Sequence, residues 1–230
     1  MSDDAQNTRD LVQLGVSALD DLVGILLAGA PTATVRTLMD QYSARQARIA
    51  REELLRALEQ GGLPGSVVSQ DELLSVIARY VTAARDGAAR RNLRLLAHAM
   101  AGLAGDEALT SDNFAEETVG LAELTREQLA VVGRYLRLLK DQLGGDLRAK
   151  GPGEDEEWDG ARSRSYRGLR DELVPDPYAT PSELETVFGP LVGNGLMLAA
   201  SGFESLVYMP SSRLIRLASN TDLEALSDVV

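Results

Sequence analysis

Four arginines, Arg85, Arg90, Arg91 and Arg94, form the densest basic group in this chain of 230 residues. On a helix, Arg90 and Arg94 share a face and Arg91 lies about 100° to one side. Planar guanidinium groups in such an array suit an anion or partner contact, because each offers a fork of donors to a carboxylate or phosphate. The competing role is ion pairing with acids on neighbouring elements, such as Asp86, Glu116 and Glu117. The one histidine, His98, follows on the same helix. As a general base it would need an orienting carboxylate and a nucleophile within reach, and the sequence groups neither with it. The acids Glu154 to Glu157 and Asp159 lack the alternating spacing and central glycine of an EF-hand calcium loop, and are expected to be solvated. Gly193-Asn194-Gly195 lacks the full spacing of a phosphate loop and reads as a helix stop. With no Cys, thiol chemistry is excluded, and a lone His excludes multi-histidine metal sites. The expectation is a protein with no catalytic, cofactor or metal site.

Charge narrows the partners. The net charge is −12, spread evenly: 11 basic against 17 acidic residues before residue 123, and 12 against 18 from there on. Direct DNA binding is therefore disfavoured, since phosphate contacts rely on Lys and Arg displacing counterions. Residues 11–30 are the most apolar stretch, but Asp20 and Asp21 interrupt it. The remaining run, 22–30, is too short to span about 30 Å of hydrocarbon. It also has no Lys or Arg for a membrane-surface helix. Residues 1–36 are thus expected to form a helical segment serving as an oligomer contact, with no membrane partner and a cytoplasmic location.

The elements that position these residues are mostly helical. Residues 37–60 carry apolar positions at Leu38, Tyr42, Ile49, Leu54, Leu55 and Leu58. Ser69-Gln70-Asp71-Glu72 reads as a capping box opening the next helix, with a break at Gly87. The pattern resumes through Leu93, Leu96, Met100 and Leu103, and Asn92 among these leucines suits a buried hydrogen-bonding role. Ser111-Asp112-Asn113 is expected to cap a helix through Leu124, and Thr125-Arg126-Glu127-Gln128 to open one over 127–143. Residues 144–160, GGDLRAKGPGEDEEWDG, form an acidic, glycine-rich insertion. After it come a helix over 162–173, a helix from Thr180-Pro181 to about 192, strands at 196–200 and 205–209, and a last helix capped by Thr221 and Glu224. The resulting fold class is mainly α: a helical bundle over 37–124, then a unit over 125–230 containing a small β-hairpin.

Leu184-x6-Leu191, Gly195-Leu196-Met197 and Tyr208-x-Pro210-Ser211-x2-Leu214 resemble the helix-and-wing run of bacterial winged helix-turn-helix proteins. That resemblance implies a third helix at 181–192 that would enter a DNA groove, with a wing at 199–206. The corresponding contact face, Glu183, Glu185, Thr186, Phe203 and Glu204, holds carboxylates and no base, so a degenerate winged helix used for protein contact is expected. Separately, Arg90-Arg91-Asn92-Leu93-Arg94-Leu95-Leu96-Ala97 is similar to a helix of uncharacterised proteobacterial and prophage proteins, which implies a mobile-element setting and carries no established activity.

These readings point to a non-catalytic, oligomeric protein-interaction or scaffold module. The alternatives are a winged-helix DNA-linked regulator, or an acidic DNA mimic that occupies a host nucleic-acid-binding protein.

Overall fold

The computed structural model describes residues 33–61, 69–106, 109–145, 147, 156–201 and 206–220. Residues 1–32 of the expected 1–36 contact segment, and the Thr221 cap, lie outside these residues; residues 33–36 belong to the helix expected from 37. The chain divides into two compact units, Met1–Glu123 and Leu124–Val230.

The first unit holds α1 (Ala33–Gly61), α2 (Gln70–Arg85), α3 (Arg90–Asp106), α4 (Ser111–Thr118) and a 3₁₀ turn, Leu121–Glu123. Along α1, Ala50, Leu54 and Ala57 are buried on one face, and the two alanines allow close approach to α3. The α2 stripe, Leu73, Ile77, Tyr80 and Ala84, has helical period. Helix α3 is buried on more sides than its Leu93–Leu96–Met100 stripe requires, because Leu95 and Ala99 are covered as well. It is the central helix, touched by α1, α2, α4 and the 3₁₀ turn. Asn92 is 1% exposed, and its Nδ2 donates to the Ala122 carbonyl at 2.8 Å, tying α3 to that turn.

Two local expectations change in this unit. Ser69 caps α2 by accepting from the Glu72 amide, but the Glu72 carboxylate does not return the bond; it accepts from the Ser111 amide at 2.6 Å and so fixes the start of α4. Thr110, one residue before the expected run, is the cap of α4, and that helix ends at Thr118 because Gly120 turns the chain at φ +72°. The break falls at Gly87 because its φ of +90° disfavours any side chain.

The second unit holds α5 (Arg126–Gln142), α6 (Glu156–Leu173), α7 (Pro181–Gly193), β1 (Met197–Ser201), β2 (Leu206–Pro210) and α8 (Ser212–Asn220). The capping box opening α5 is complete: Thr125 accepts from the Gln128 amide, and the Gln128 side chain accepts from the Thr125 amide. Thr125→Ala should lower stability by about 1 kcal/mol, read as a small fall in urea midpoint with unchanged helicity.

Helix α6 starts at Glu156, six residues earlier than expected, so the end of the acidic insertion is helical. Trp158 and Ala161 are buried, and acids in a first turn face the positive end of the helix dipole. Pro190 sits inside α7 without ending it. In the last turn it removes only its own amide donor, and the Asn194 amide still reaches the Pro190 carbonyl at 2.9 Å.

The hairpin pairs Met197 with Pro210 and Ser201 with Leu206, one residue later at each strand than the expected spans. Ser211 clamps its base: the hydroxyl donates to the Gly195 carbonyl and accepts from the Leu214 amide, which opens α8. Tyr166 of α6, Phe188 of α7 and Tyr208 of β2 form one aromatic cluster, with Phe188 and Tyr208 stacked at 4.6 Å and 10°.

Candidate functional site

In the first unit the chemistry gathers on Glu53. Its helix position, between Ala50 and Ala57, puts it on the buried face of α1, and its side chain is 0% exposed. A buried carboxylate needs partners, and three arginines supply them. Arg56 Nη1 donates to both carboxylate oxygens at 2.8 Å, Arg90 Nε to Oε1 at 2.6 Å and Arg94 Nε to Oε2 at 2.8 Å. Arg90 also donates to Glu52, which lies 4.0 Å from Arg48. Burial pushes the Glu53 pKa up, but the bonds from Arg94, Arg90 and Arg56 outweigh it and hold the carboxyl down at about 2. The same bonds raise the Arg90 pKa. Beneath the cluster, the buried Tyr80 hydroxyl donates to the Ala50 carbonyl; burial and the Glu53 charge push its pKa up.

Arg90 and Arg94 therefore do share a face, and it is the face turned to α1. The acids that meet them are Glu52 and Glu53, not Asp86, Glu116 or Glu117. Arg56 joins them and was not singled out from the sequence; the available signal was a lone acid on the apolar stripe of α1. Arg85 stands exposed in the last turn of α2, outside the cluster. Arg91 is half-buried, and its Nε finds no hydrogen-bond partner among the described residues. His98 is half-buried on α3.

In the second unit, α7 carries three of the expected contact residues. Glu183 is exposed, and its carboxylate accepts from the Ala179 amide at 2.8 Å, closing the helix start. Thr186 is exposed, with its hydroxyl donating to the Glu183 carbonyl. Glu185 is half-buried near Tyr166 and Tyr208. Burial, with the Glu185 charge adding to it, raises Tyr166 to about 12 and moves Tyr208 the same way. Phe203 and Glu204 lie outside the described residues. The exposed positions of α7 are Pro181, Ser182, Glu183, Thr186, Gly189, Pro190 and Gly193, with no cation among them.

The hairpin has two different faces. Met197, Tyr208 and Pro210 are buried on the inner one. Leu198, Ala200, Val207 and Met209 alternate onto the outer one, where Leu198 is 52% exposed and the others are half-exposed. Neither strand contains a charged residue.

An open groove of about 510 Å³ beside α2 is lined by Arg79, Asp86 and Glu123 over a floor of alanines, and His98 is not part of it. Among the described residues, no group of three His, Cys, Asp or Glu could hold a metal ion, and no helix is long and apolar enough to cross a membrane. No family model, curated protein or solved structure matches the chain.

Proposed function

We propose that the protein is a non-catalytic interaction module that pairs with a second copy of itself through the β1–β2 hairpin. The observation that carries this reading is the uncharged, apolar outer face of Leu198, Ala200, Val207 and Met209. Solvent-facing strands normally alternate to polar side chains, and sheet edges are normally guarded by charge or proline. Here both strands lack charge and the one proline, Pro210, stands at the end of β2; among the described residues the sheet has two strands, so each leaves an edge unpaired. A second copy suits this surface. Copies of a chain with a net charge of −12 repel one another in general, but the two strands themselves carry no charge. A twofold pairing needs only one self-complementary patch, in which residue i of one copy meets residue j of the other and j meets i.

The order α5, α6, α7, hairpin and α8 supports a winged-helix-like unit turned to protein contact. The cation-free exposed face of α7 weighs against the DNA-linked regulator, and a mobile-element setting rests on the Arg90–Ala97 resemblance alone. Sedimentation equilibrium of the full chain is expected to give a dimer. Leu198→Lys combined with Val207→Lys is expected to give a monomer of unchanged helicity. A monomeric wild type, or a dimer untouched by both lysines, overturns the reading. A low-salt titration with random duplex is expected to stay flat, and a rising, salt-sensitive signal would favour the regulator instead.

A further inference from the structure

We infer that Arg56, Arg90 and Arg94, racked on the buried Glu53 carboxylate, form a binding site for the phosphate group of a small phosphomonoester. Three observations carry this, none of which involves the hairpin.

The first is preorganisation. Glu53 is wholly buried and engages Nη1 of Arg56 and Nε of Arg90 and Arg94, while the three side chains remain 42%, 47% and 40% exposed. A guanidinium has five N–H donors, so the bond through Nε leaves the four Nη hydrogens of Arg94 outside the clasp. All three groups are anchored on one carboxylate, and each keeps a solvent-accessible part around that common centre. Glu53 is thus a positioning residue, and the arginines are the contacts.

The second is charge. Among the described residues, three guanidinium groups face two carboxylates, Glu52 and Glu53, which leaves an excess of positive charge, and Arg48 beside Glu52 adds to it. Glu52 is a competing carboxylate, and it occupies Nη2 of Arg90. Among the described residues, the donors left unengaged are therefore mainly those of Arg56 and Arg94. Arg90 opens α3, whose first turn contains no acid, so the positive end of that helix dipole adds to the same field.

The third observation sets the size of the ligand. At physiological salt, charges are screened beyond about 8 Å, so a small anion in the clasp feels the local excess. A long polyanion would also meet the surrounding acids, in a chain whose net charge is −12 and whose acids outnumber its bases in both halves. The favoured ligand is a single dianionic phosphate, free or at the end of a small molecule, rather than a nucleic-acid backbone.

The test is calorimetric titration of the full-length chain with inorganic phosphate, at an ionic strength held constant with chloride. Saturable one-site binding is expected. Arg94→Gln and Arg56→Gln should each weaken it about tenfold, the loss of one charge-assisted contact. Arg91→Gln, on the same helix but outside the clasp, should leave it unchanged. Circular dichroism identifies any variant that fails to fold, and two clasp variants on different helices keep the comparison open. A mononucleotide carrying a terminal phosphate should bind like phosphate, and a single-stranded oligonucleotide no better. No saturable binding by the wild type, equal binding by all folded variants, or an oligonucleotide binding far more tightly than phosphate overturns the inference. None of these readouts depends on whether the chain dimerises.

Discussion

Glu53→Ala is expected to cost the first unit about 3 kcal/mol, visible as a large fall in urea midpoint by far-UV circular dichroism. Breaking a buried pair from one side usually costs more, because the remaining charge is stranded. Here the three arginines are 40–47% exposed and can rehydrate, which moderates the loss. Acid provides an independent route to the same number. The Glu53 carboxyl titrates at about 2 in the folded chain against 4.5 in the unfolded one, and each unit of difference is worth about 1.4 kcal/mol. The folded pKa is the lower, so the stabilisation is complete above about pH 4.5 and is lost as pH falls through 2. The gap in unfolding free energy between wild type and Glu53→Ala should therefore close across that window. A gap that stays constant with pH, or is below about 1 kcal/mol at neutral pH, would show that the clasp contributes little to stability.

Phe188→Ala should have an effect of similar or larger size in the second unit, about 3–5 kcal/mol for truncating a fully buried aromatic. Phe188 is 0% exposed and stacks on Tyr208, while Tyr166 meets it edge-on at 5.9 Å. These contacts lay β2 against α6 and α7, so the truncation removes the floor of the hairpin as well as core volume. Self-association should fail with it. Phe188→Leu keeps most of the volume and loses the ring contacts, at a cost of about 1–2 kcal/mol. Thermal unfolding of the two variants checks the order. If Phe188→Leu were as damaging as Phe188→Ala, ring geometry would outweigh volume at this position.

What could be read from sequence was mostly what is decided within one turn of helix. Thr125 with Gln128, and Thr180 with Pro181 and Glu183, act over three residues; α7 begins where those residues place it, and α5 one residue before the expected 127. The Ser69 box was half legible, because the fate of the Glu72 carboxylate depends on Ser111, which lies 39 residues away. The arginine cluster was visible as composition, but its partners were not. Glu53 and Arg90 are separated by 37 residues and meet only when α1 packs on α3. The start of α6 was missed because glycine and acid at 151–157 read as loop, while the burial of Trp158 that rewards an earlier helix is tertiary. The hairpin was recognisable by alternation, and the one-residue offset reflects pairing set by Leu196 and Ser211 at its base.

The burial of Trp158 has a spectroscopic consequence. It is the only tryptophan in the chain, 2% exposed on α6, with the Arg162 guanidinium 5.2 Å from its ring centre. Indole emission is therefore an intrinsic optical probe that samples the second unit and not the first. A red shift in that emission marks the moment when water reaches α6, whatever the helices around Glu53 are doing. The protein thus carries its own label for deciding, without any engineered dye, whether its two halves melt together or in turn.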